Sequence, residues 1–374
     1  MSQEERLEKV RGEAPEKRPT VSVLARSTTH GDCPCARVAL ATRTDLDKLV
    51  KGTHFEVDFG QDPQTFLRGQ LFERRVKDKD YAALIQLLRE NAGFAITDAR
   101  IRNLKSNAAH NETGLKQRAT ETRQLLRKMV RGGDDAPNIV DGAVLTCTIA
   151  GRTAYFEADG LAAAAGGRIH VAEVKSFPLT DGRCDNGKLG AACEQAAWYV
   201  LLCRRELVEL DLPVDAVSHE GLIILAKGLG LEPALVKYDL TNRIVRAEQL
   251  LDSARVDEDV LRAVGDVQFP SAEEDPQQRI EVLERMMDRV GTQYRPDCLE
   301  DCGAAKLCRA RAQGAGLASV CGSSIARMLP GVRTLGRAAE LASGGVPAPS
   351  ERHAAAALRQ ANAVYERVSK GGAL

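Results

Sequence analysis

Apolar and polar residues alternate along GAVLTCTIA, TAYFEADGLA and RIHVAEVKSF, and this period of two predicts three strands in a meander. Gly151 and the Gly166-Gly167 pair mark the turns between them. A helix carrying Gln195 follows, then a second pair of strands, HEGLIILAKG and PALVKYDL, with Gly228 and Gly230 between. Upstream, FLRGQLFERRV and YAALIQLLREN have helical spacing, and Phe66, Leu67, Leu71 and Phe72 supply apolar anchors. Downstream, Asp275 caps a helix with Pro276 at its first position and Gln278 at its third. Ile280, Leu283, Met287 and Val290 give that helix one apolar face. The last fifty residues are Ala-rich and helical in pattern.

Strands, helix and strands in this order predict an α/β protein, a mixed central sheet flanked by helices. Six segments are expected along the chain. Residues 1–20, with mixed charge and no apolar period, read as a disordered tail. A helical N-terminal segment covers 21–96, a basic helical insertion 97–140, and the core 141–250. A helical segment with a cysteine cluster covers 251–322, and a helical tail 323–374.

Apolar residues make up 44% of the 374, enough for a sizeable core, and no run of about 18 predicts a membrane span. The N-terminus MSQEERLEKVRGEAPEKRP lacks the apolar middle of a signal peptide, so a cytoplasmic location is expected. A formal net charge of zero leaves only local patches to attract nucleic acid. The chain does turn basic along ARIRNLKSNAAHNETGLKQRATETRQLLRKMVRGG, where Arg118, Arg123, Arg127 and Lys128 stand. Two readings are open for it: a solvated helix pair covering the core, or a surface that tracks a nucleic-acid backbone. Ten cysteines in a cytoplasmic chain are free thiols or metal ligands rather than a disulfide framework.

The candidate chemistry gathers between Tyr155 and Tyr199. Glu173 and Lys175 are two apart on one strand and so point the same way. Charges on a strand that borders a core are costly unless paired or used. The alternatives are an ion pair on a solvent-facing strand and a functional site. Asp159 comes fourteen residues earlier, across the Gly-Gly turn, beside Gly160; an acid there also suits a turn cap. Gln195 and Tyr199 are four apart and share one helix face. Two carboxylates, an ammonium and a polar helix face are the equipment for holding a divalent metal and cutting a phosphodiester. His170, three residues before Glu173, falls on the opposite face of its strand.

Away from that stretch, Cys298, Cys302 and Cys308 cluster near the C-terminal side of the core, while Cys33 and Cys35 lie far upstream. Three clustered thiols and one remote thiol supply four ligands, which suits a structural zinc or an iron–sulfur cluster.

An acid, an E-x-K across a Gly-Gly turn and a Q-x-x-x-Y on the next helix together resemble the RecB-like branch of the PD-(D/E)XK nuclease superfamily. The resemblance covers about Val21 to Cys308 in patches. It implies a restriction-endonuclease-like core, with Asp159 and Glu173 as metal-binding carboxylates and Lys175 as the catalytic lysine. It also implies Gln195 and Tyr199 as the helix motif. The Val174 carbonyl and Glu73, where the branch often has His after a Gly such as Gly69, would complete the shell of a Mg2+ or Mn2+ ion.

A subset of that branch, including AddB-type helicase–nucleases and CRISPR spacer-acquisition nucleases, carries a 4Fe-4S cluster bound by one upstream and three downstream cysteines. The resemblance thus implies Cys33, Cys298, Cys302 and Cys308 as its ligands, closing the N-terminal segment onto the C-terminal one. The three-residue gap between Cys298 and Cys302 leaves Cys35 and Cys321 as substitutes, and Zn2+ as the alternative metal. No P-loop of the form GxxxxGK[ST] occurs, so the implied protein is a stand-alone nuclease or a subunit beside a helicase, repair or defence partner. The expected activity is exonucleolytic cutting of single-stranded DNA or DNA ends. The rivals are a restriction-type endonuclease and a non-cutting DNA-end-binding subunit.

Overall fold

A computed structural model describes residues 2–29, 33–57, 63–105, 111–133, 135–163, 168–253, 258–296 and 298–369. The chain forms two units, each drawn from separated stretches of sequence. One comprises Met1–Glu5, Arg18–Thr29 and Gly60–Asp257; the other comprises Arg6–Lys17, His30–Phe59 and Glu258–Leu374.

The first unit is mixed α/β. Its strands are β1 (Ile101–Asn103), β2 (Ile139–Asp141), β3 (Val144–Ile149), β4 (Arg152–Glu157), β5 (Gly160–Ala163), β6 (Ile169–Leu179), β7 (Glu220–Lys227) and β8 (Pro233–Asp239). Six form one sheet in the order β1-β2-β5-β6-β7-β8, while β3 and β4 pair by themselves. β1 and β2 run parallel, as do β6 and β7; the other neighbours are antiparallel. The sheet is therefore mixed, as the order of elements predicts.

The expected three-strand meander is corrected in one respect. The chain leaves the β3–β4 hairpin after Glu157 and enters the larger sheet at Gly160. Asp159 stands at that joint rather than within a strand. The alternation of TAYFEADGLA continues across the joint, so the change of sheet leaves no mark on the pattern.

The basic insertion over 97–140 is also corrected. Its ends are β1 and β2, the edge of the main sheet, so this segment belongs to the core architecture. Between them runs the helix Glu112–Arg131, capped by the Asn111 side chain and burying Ala119, Leu125, Leu126 and Met129. The helix Pro63–Glu90 comes before β1 and is broken at Asp78–Tyr81, where Lys79, Asp80 and Tyr81 take left-handed φ. Phe72, Val76, Leu84, Ile85 and Leu88 from its two parts join Ile139, Ala172, Leu222 and Ile224 in one apolar core.

The second unit is helical. Residues 3–11, expected as tail, form a helix in which Leu7 is 0% and Val10 7% exposed. The Val10 carbonyl accepts the Phe269 N–H at 2.9 Å. Two apolar residues three apart suffice for this docking, too short a period to stand out among the surrounding charges. The helix Pro276–Val290 is capped by Asp275, which accepts from the Gln277 N–H at 2.9 Å. Its Ile280, Leu283 and Met287 are buried as predicted, with Val290 packed beside them. They meet Val38, Leu46 and Leu49 from the helices Pro34–Thr42 and Leu46–Val50, and Leu307 from Ala305–Gly314. Gly303 makes that approach possible: a Cβ there would fall 2.6 Å from the Asp47 backbone nitrogen.

Candidate active site

β6 carries the centre of the site. Residues 169–173 of it are buried, and from Val174 onward it is half-exposed, so Glu173 and Lys175 straddle the point where the strand leaves the core. Glu173 lies beside Ile223 of β7 and Lys175 beside Leu225. Immediately after Lys175 the β6–β7 register shifts, an irregularity that re-aims side chains at the end of a strand.

Glu173 is 2% exposed. Its Oε1 accepts from Lys175 Nζ at 2.6 Å, and its Oε2 is buried with no hydrogen-bond partner among the described residues. Burial and the neighbouring Asp159 push its pKa up to about 8 against the pull of Lys175, with Glu73 adding to the rise. Burial works against the charge on Lys175, but Glu173, Asp159 and Glu73 outweigh it and raise the lysine's pKa. Lys175 thus keeps its proton, while Glu173 without a metal cation beside it is pushed toward its acid form.

Asp159 reaches the same place from the sheet-switching joint. Its Oδ2 accepts the Val174 N–H at 3.1 Å, between the two charged residues of β6. Tyr199 comes from the helix Asn186–Glu209, which packs on β3, β6 and β7. Its hydroxyl donates to the Glu157 carbonyl. Burial, with Glu173, Asp159 and Glu157 near it, holds the phenol well above its ordinary pKa, so it acts as a neutral donor. Gln195 lies half-buried one turn earlier, and no hydrogen bond or ion pair joins it to the other four.

Glu73 enters the site from the helix Pro63–Glu90. That helix is tied to the end of β6 by Arg68, whose guanidinium donates to the carbonyls of Ser176 (3.1 Å), Leu229 (3.2 Å) and Gly230 (3.0 Å). The Glu73 carboxylate pairs with Lys77 at 2.6 Å and Lys105 at 3.4 Å. Burial favours its acid form, but these two cations prevail and lower its pKa.

A network of charged residues that no sequence motif singled out surrounds these groups. Lys77 also pairs with Asp141 at 2.8 Å, and Tyr81 donates to the other Asp141 oxygen at 2.5 Å. Lys105 continues to Glu157 at 2.9 Å, and Glu157 pairs with Arg118 at 2.5 Å. Gly142 gives Lys105 its path: φ is +68°, and a Cβ would lie 2.5 Å from the Lys105 Cγ. One signal for this network was present in the sequence, the acid Asp141 ending the apolar run NIVDGAV.

The basic helix is read differently once these partners are known. Arg118 is 3% exposed and its guanidinium pairs through Nη2 with Glu157. Arg123 pairs with Glu206 at 2.5 Å and also with Glu209. The expected nucleic-acid contacts from Arg118 and Arg123 are thereby corrected: they cross-link the helix to its neighbours. Lys128 is exposed and pairs with Asp135 at 2.6 Å, and Arg127 is exposed with no ion pair among the described residues.

In the helical unit, Cys35, Cys298 and Cys308 are buried in one apolar cluster, with Cys33 and Cys302 packed against it. Burial pushes the Cys302 thiol up to about 12, with Cys298 and Cys33 adding to the rise. Cys308 is raised by burial and by Cys302, Cys33 and Cys298. Cys35 is raised by burial and then by Cys33, Cys308 and Cys302. The five thiols from both ends of the chain thus share one locality, whereas Cys321 is exposed and outside the cluster.

Hard oxygen donors around an orphaned, buried Glu173 Oε2 fit a divalent cation, and clustered thiols in an apolar setting fit a soft metal. As the side chains stand, no group of three or more His, Cys, Asp or Glu among the described residues is arranged to hold a metal ion. No helix among the described residues is long and apolar enough to cross a membrane. No family model matches the chain, and no curated protein matches it.

Proposed function

We propose that this chain is a metal-dependent DNA nuclease on a PD-(D/E)XK core, cutting single strands or DNA ends exonucleolytically, in repair, recombination or phage defence. The observation that carries the reading is Glu173: a carboxylate buried at the end of a central strand, with one oxygen on Lys175 and the other without a hydrogen-bond partner among the described residues. Leaving a buried carboxylate oxygen unmatched is expensive for a merely structural ion pair. Glu173 and Asp159 would hold a Mg2+ or Mn2+ ion, which would supply Lewis acidity at the scissile phosphate.

The chain's own residues do the rest. Lys175 remains an ammonium and offsets the negative charge that develops on the phosphate. Glu73, held between Lys77 and Lys105, is a positioning residue that adds a little to the negative field at Glu173, which burial and Asp159 dominate. Tyr199 holds the Glu157 backbone, and with it the turn that delivers Asp159. The thiols of Cys33, Cys298, Cys302 and Cys308 would hold a 4Fe-4S cluster that joins the two segments of the helical unit.

End-labelled single- and double-stranded DNA with Mg2+ or Mn2+ tests the reading. Wild type degrades the label, and Lys175→Ala, with an unchanged melting temperature, is slower by about 10²–10³-fold. Equal degradation by the two proteins removes the catalytic assignment. Cutting of a covalently closed circle would leave the nuclease and remove its exonuclease mode.

A further inference from the structure

The helix that carries Glu73 leaves large apolar side chains in solvent. Phe66 is 56%, Leu67 55% and Leu71 41% exposed, while Phe72 and Val76 on the opposite face are fully buried. Such a stripe on an otherwise well-anchored helix marks a contact surface. The helix is fixed beside the candidate site: Arg68 clamps it to Ser176 of β6 and to the β7–β8 turn, where Leu229 is 89% exposed.

The stripe has a direction. Phe66 precedes Glu73 by seven residues, so the two lie on one side of the helix, about 10 Å apart along its axis. Following the exposed face from Leu67 and Leu71 toward the C-terminal end brings Arg74 and Arg75, both exposed and without an ion pair among the described residues. Aromatic and aliphatic surface followed by free cations matches the two chemistries of an unpaired strand, its base faces and its phosphates. A duplex hides its base faces and matches only the cations.

We propose that Phe66 is a stacking platform for an unpaired base of single-stranded DNA entering the site, with Arg74 holding an adjoining phosphate. This rests on the nuclease reading and narrows its substrate to an end with unpaired bases. Specificity for unpaired strands then comes from this helix and not from the carboxylates.

Binding of the full-length Lys175→Ala protein to fluorescent oligothymidine, followed by anisotropy, tests the platform. Adding Phe66→Ala weakens binding roughly tenfold, Phe66→Trp restores it, and a blunt duplex of the same length is unaffected. A strand with abasic sites binds the parent and its Phe66→Ala variant equally weakly. Equal affinity of Phe66→Ala and its parent for oligothymidine overturns the proposal, as does the same loss on intact and abasic strands. A change of oligomeric state caused by Phe66→Ala without DNA also overturns it and assigns the stripe to a protein contact. If wild type cuts DNA but Phe66→Ala changes nothing, the platform alone falls; if wild type neither cuts nor binds DNA, the nuclease reading falls with it.

Discussion

The Asp159 carboxylate accepts the Val174 N–H at 3.1 Å, so the acid that ends one sheet's hairpin is fastened between Glu173 and Lys175 of the other sheet. One side chain therefore does two things: it holds the joint and it sets the charge felt by Glu173. Substitution separates them. Asp159→Asn retains an oxygen to accept the N–H and removes the charge. It should melt within about 0.5 kcal/mol of wild type yet lose about 10²-fold in nuclease rate. Asp159→Ala should lose the same activity and about 1 kcal/mol more stability, the worth of an ordinary hydrogen bond. Chemical denaturation beside a cleavage assay measures both; full activity in Asp159→Asn would contradict a metal-binding role.

Glu173 gives the metal-free protein a pH dependence of defined sign. Its pKa rises from 4.5 to about 8 on folding. Below 4.5 the group is neutral in folded and unfolded chains, and its contribution to stability is fully present. From there toward pH 8 the unfolded chain ionises while the folded one resists, so stability is lost at up to about 1.4 kcal/mol per pH unit. Above the folded pKa the loss is complete. Glu173→Gln should flatten this segment of the curve and raise the melting temperature at pH 8 relative to wild type. Manganese competes with the same proton, so its affinity for wild type should climb with pH until about 8, with proton release visible by calorimetry in two buffers. A wild-type stability curve that rises between about pH 6 and 8, with Glu173→Gln superimposed on it, would refute the assignment.

What the sequence disclosed and what it hid divide along physical lines. The E-x-K pair was visible because a strand's period of two puts Glu173 and Lys175 on one side whatever the surroundings. The Asp275 cap was visible because capping chemistry is local to a few residues. The role of the basic helix was not visible, because Arg118 and Arg123 look like solvated charges until Glu157 and Glu206 are brought to them from distant parts of the chain. Lys77 and Lys105 were invisible for the same reason; Asp141, an acid ending the apolar run NIVDGAV, and Gly142, kept free of a side chain where Lys105 passes, are the traces the network leaves. Cys33 joins Cys298, Cys302 and Cys308 through the split composition of the helical unit, which spacing along the chain does not encode.

Two arginines on one helix should respond in opposite ways. Arg118 is buried against Glu157, so Arg118→Met leaves that carboxylate with Lys105 alone and should destabilise the fold by about 2–3 kcal/mol. Glu157 is one-third exposed, which brings the effect below the ~3–5 kcal/mol of a fully buried pair that is broken. Arg127 is exposed and unpaired among the described residues, so Arg127→Ala should change stability by less than about 0.5 kcal/mol. On single-stranded DNA it should instead weaken binding evenly across sequences and reduce the salt slope by about 0.7, the loss of one phosphate contact. Urea melts and binding titrations from low to high salt measure the pair; an Arg127→Ala protein with an unchanged salt slope assigns this helix a purely structural role.

The cysteine cluster makes a prediction independent of catalysis. Cys308 is buried among Cys302, Cys33 and Cys298, so replacing it removes a soft donor from the middle of the set. Protein purified without oxygen should carry iron and sulfide and absorb in the visible. Cys308→Ser should be colourless and melt lower, because metal binding to a folded site adds its free energy to folding. Cys321→Ser, altered at an exposed thiol outside the cluster, should keep both colour and melting temperature. Cys35→Ser decides the upstream ligand: Cys35 is buried beside the set, and loss of iron from this variant would move the fourth ligand from Cys33 to Cys35. Iron analysis and thermal melts of the three variants measure these outcomes. Wild-type protein that is colourless and carries one equivalent of zinc would replace the iron–sulfur assignment with a structural zinc, and unchanged iron in Cys308→Ser would exclude these thiols as the ligands.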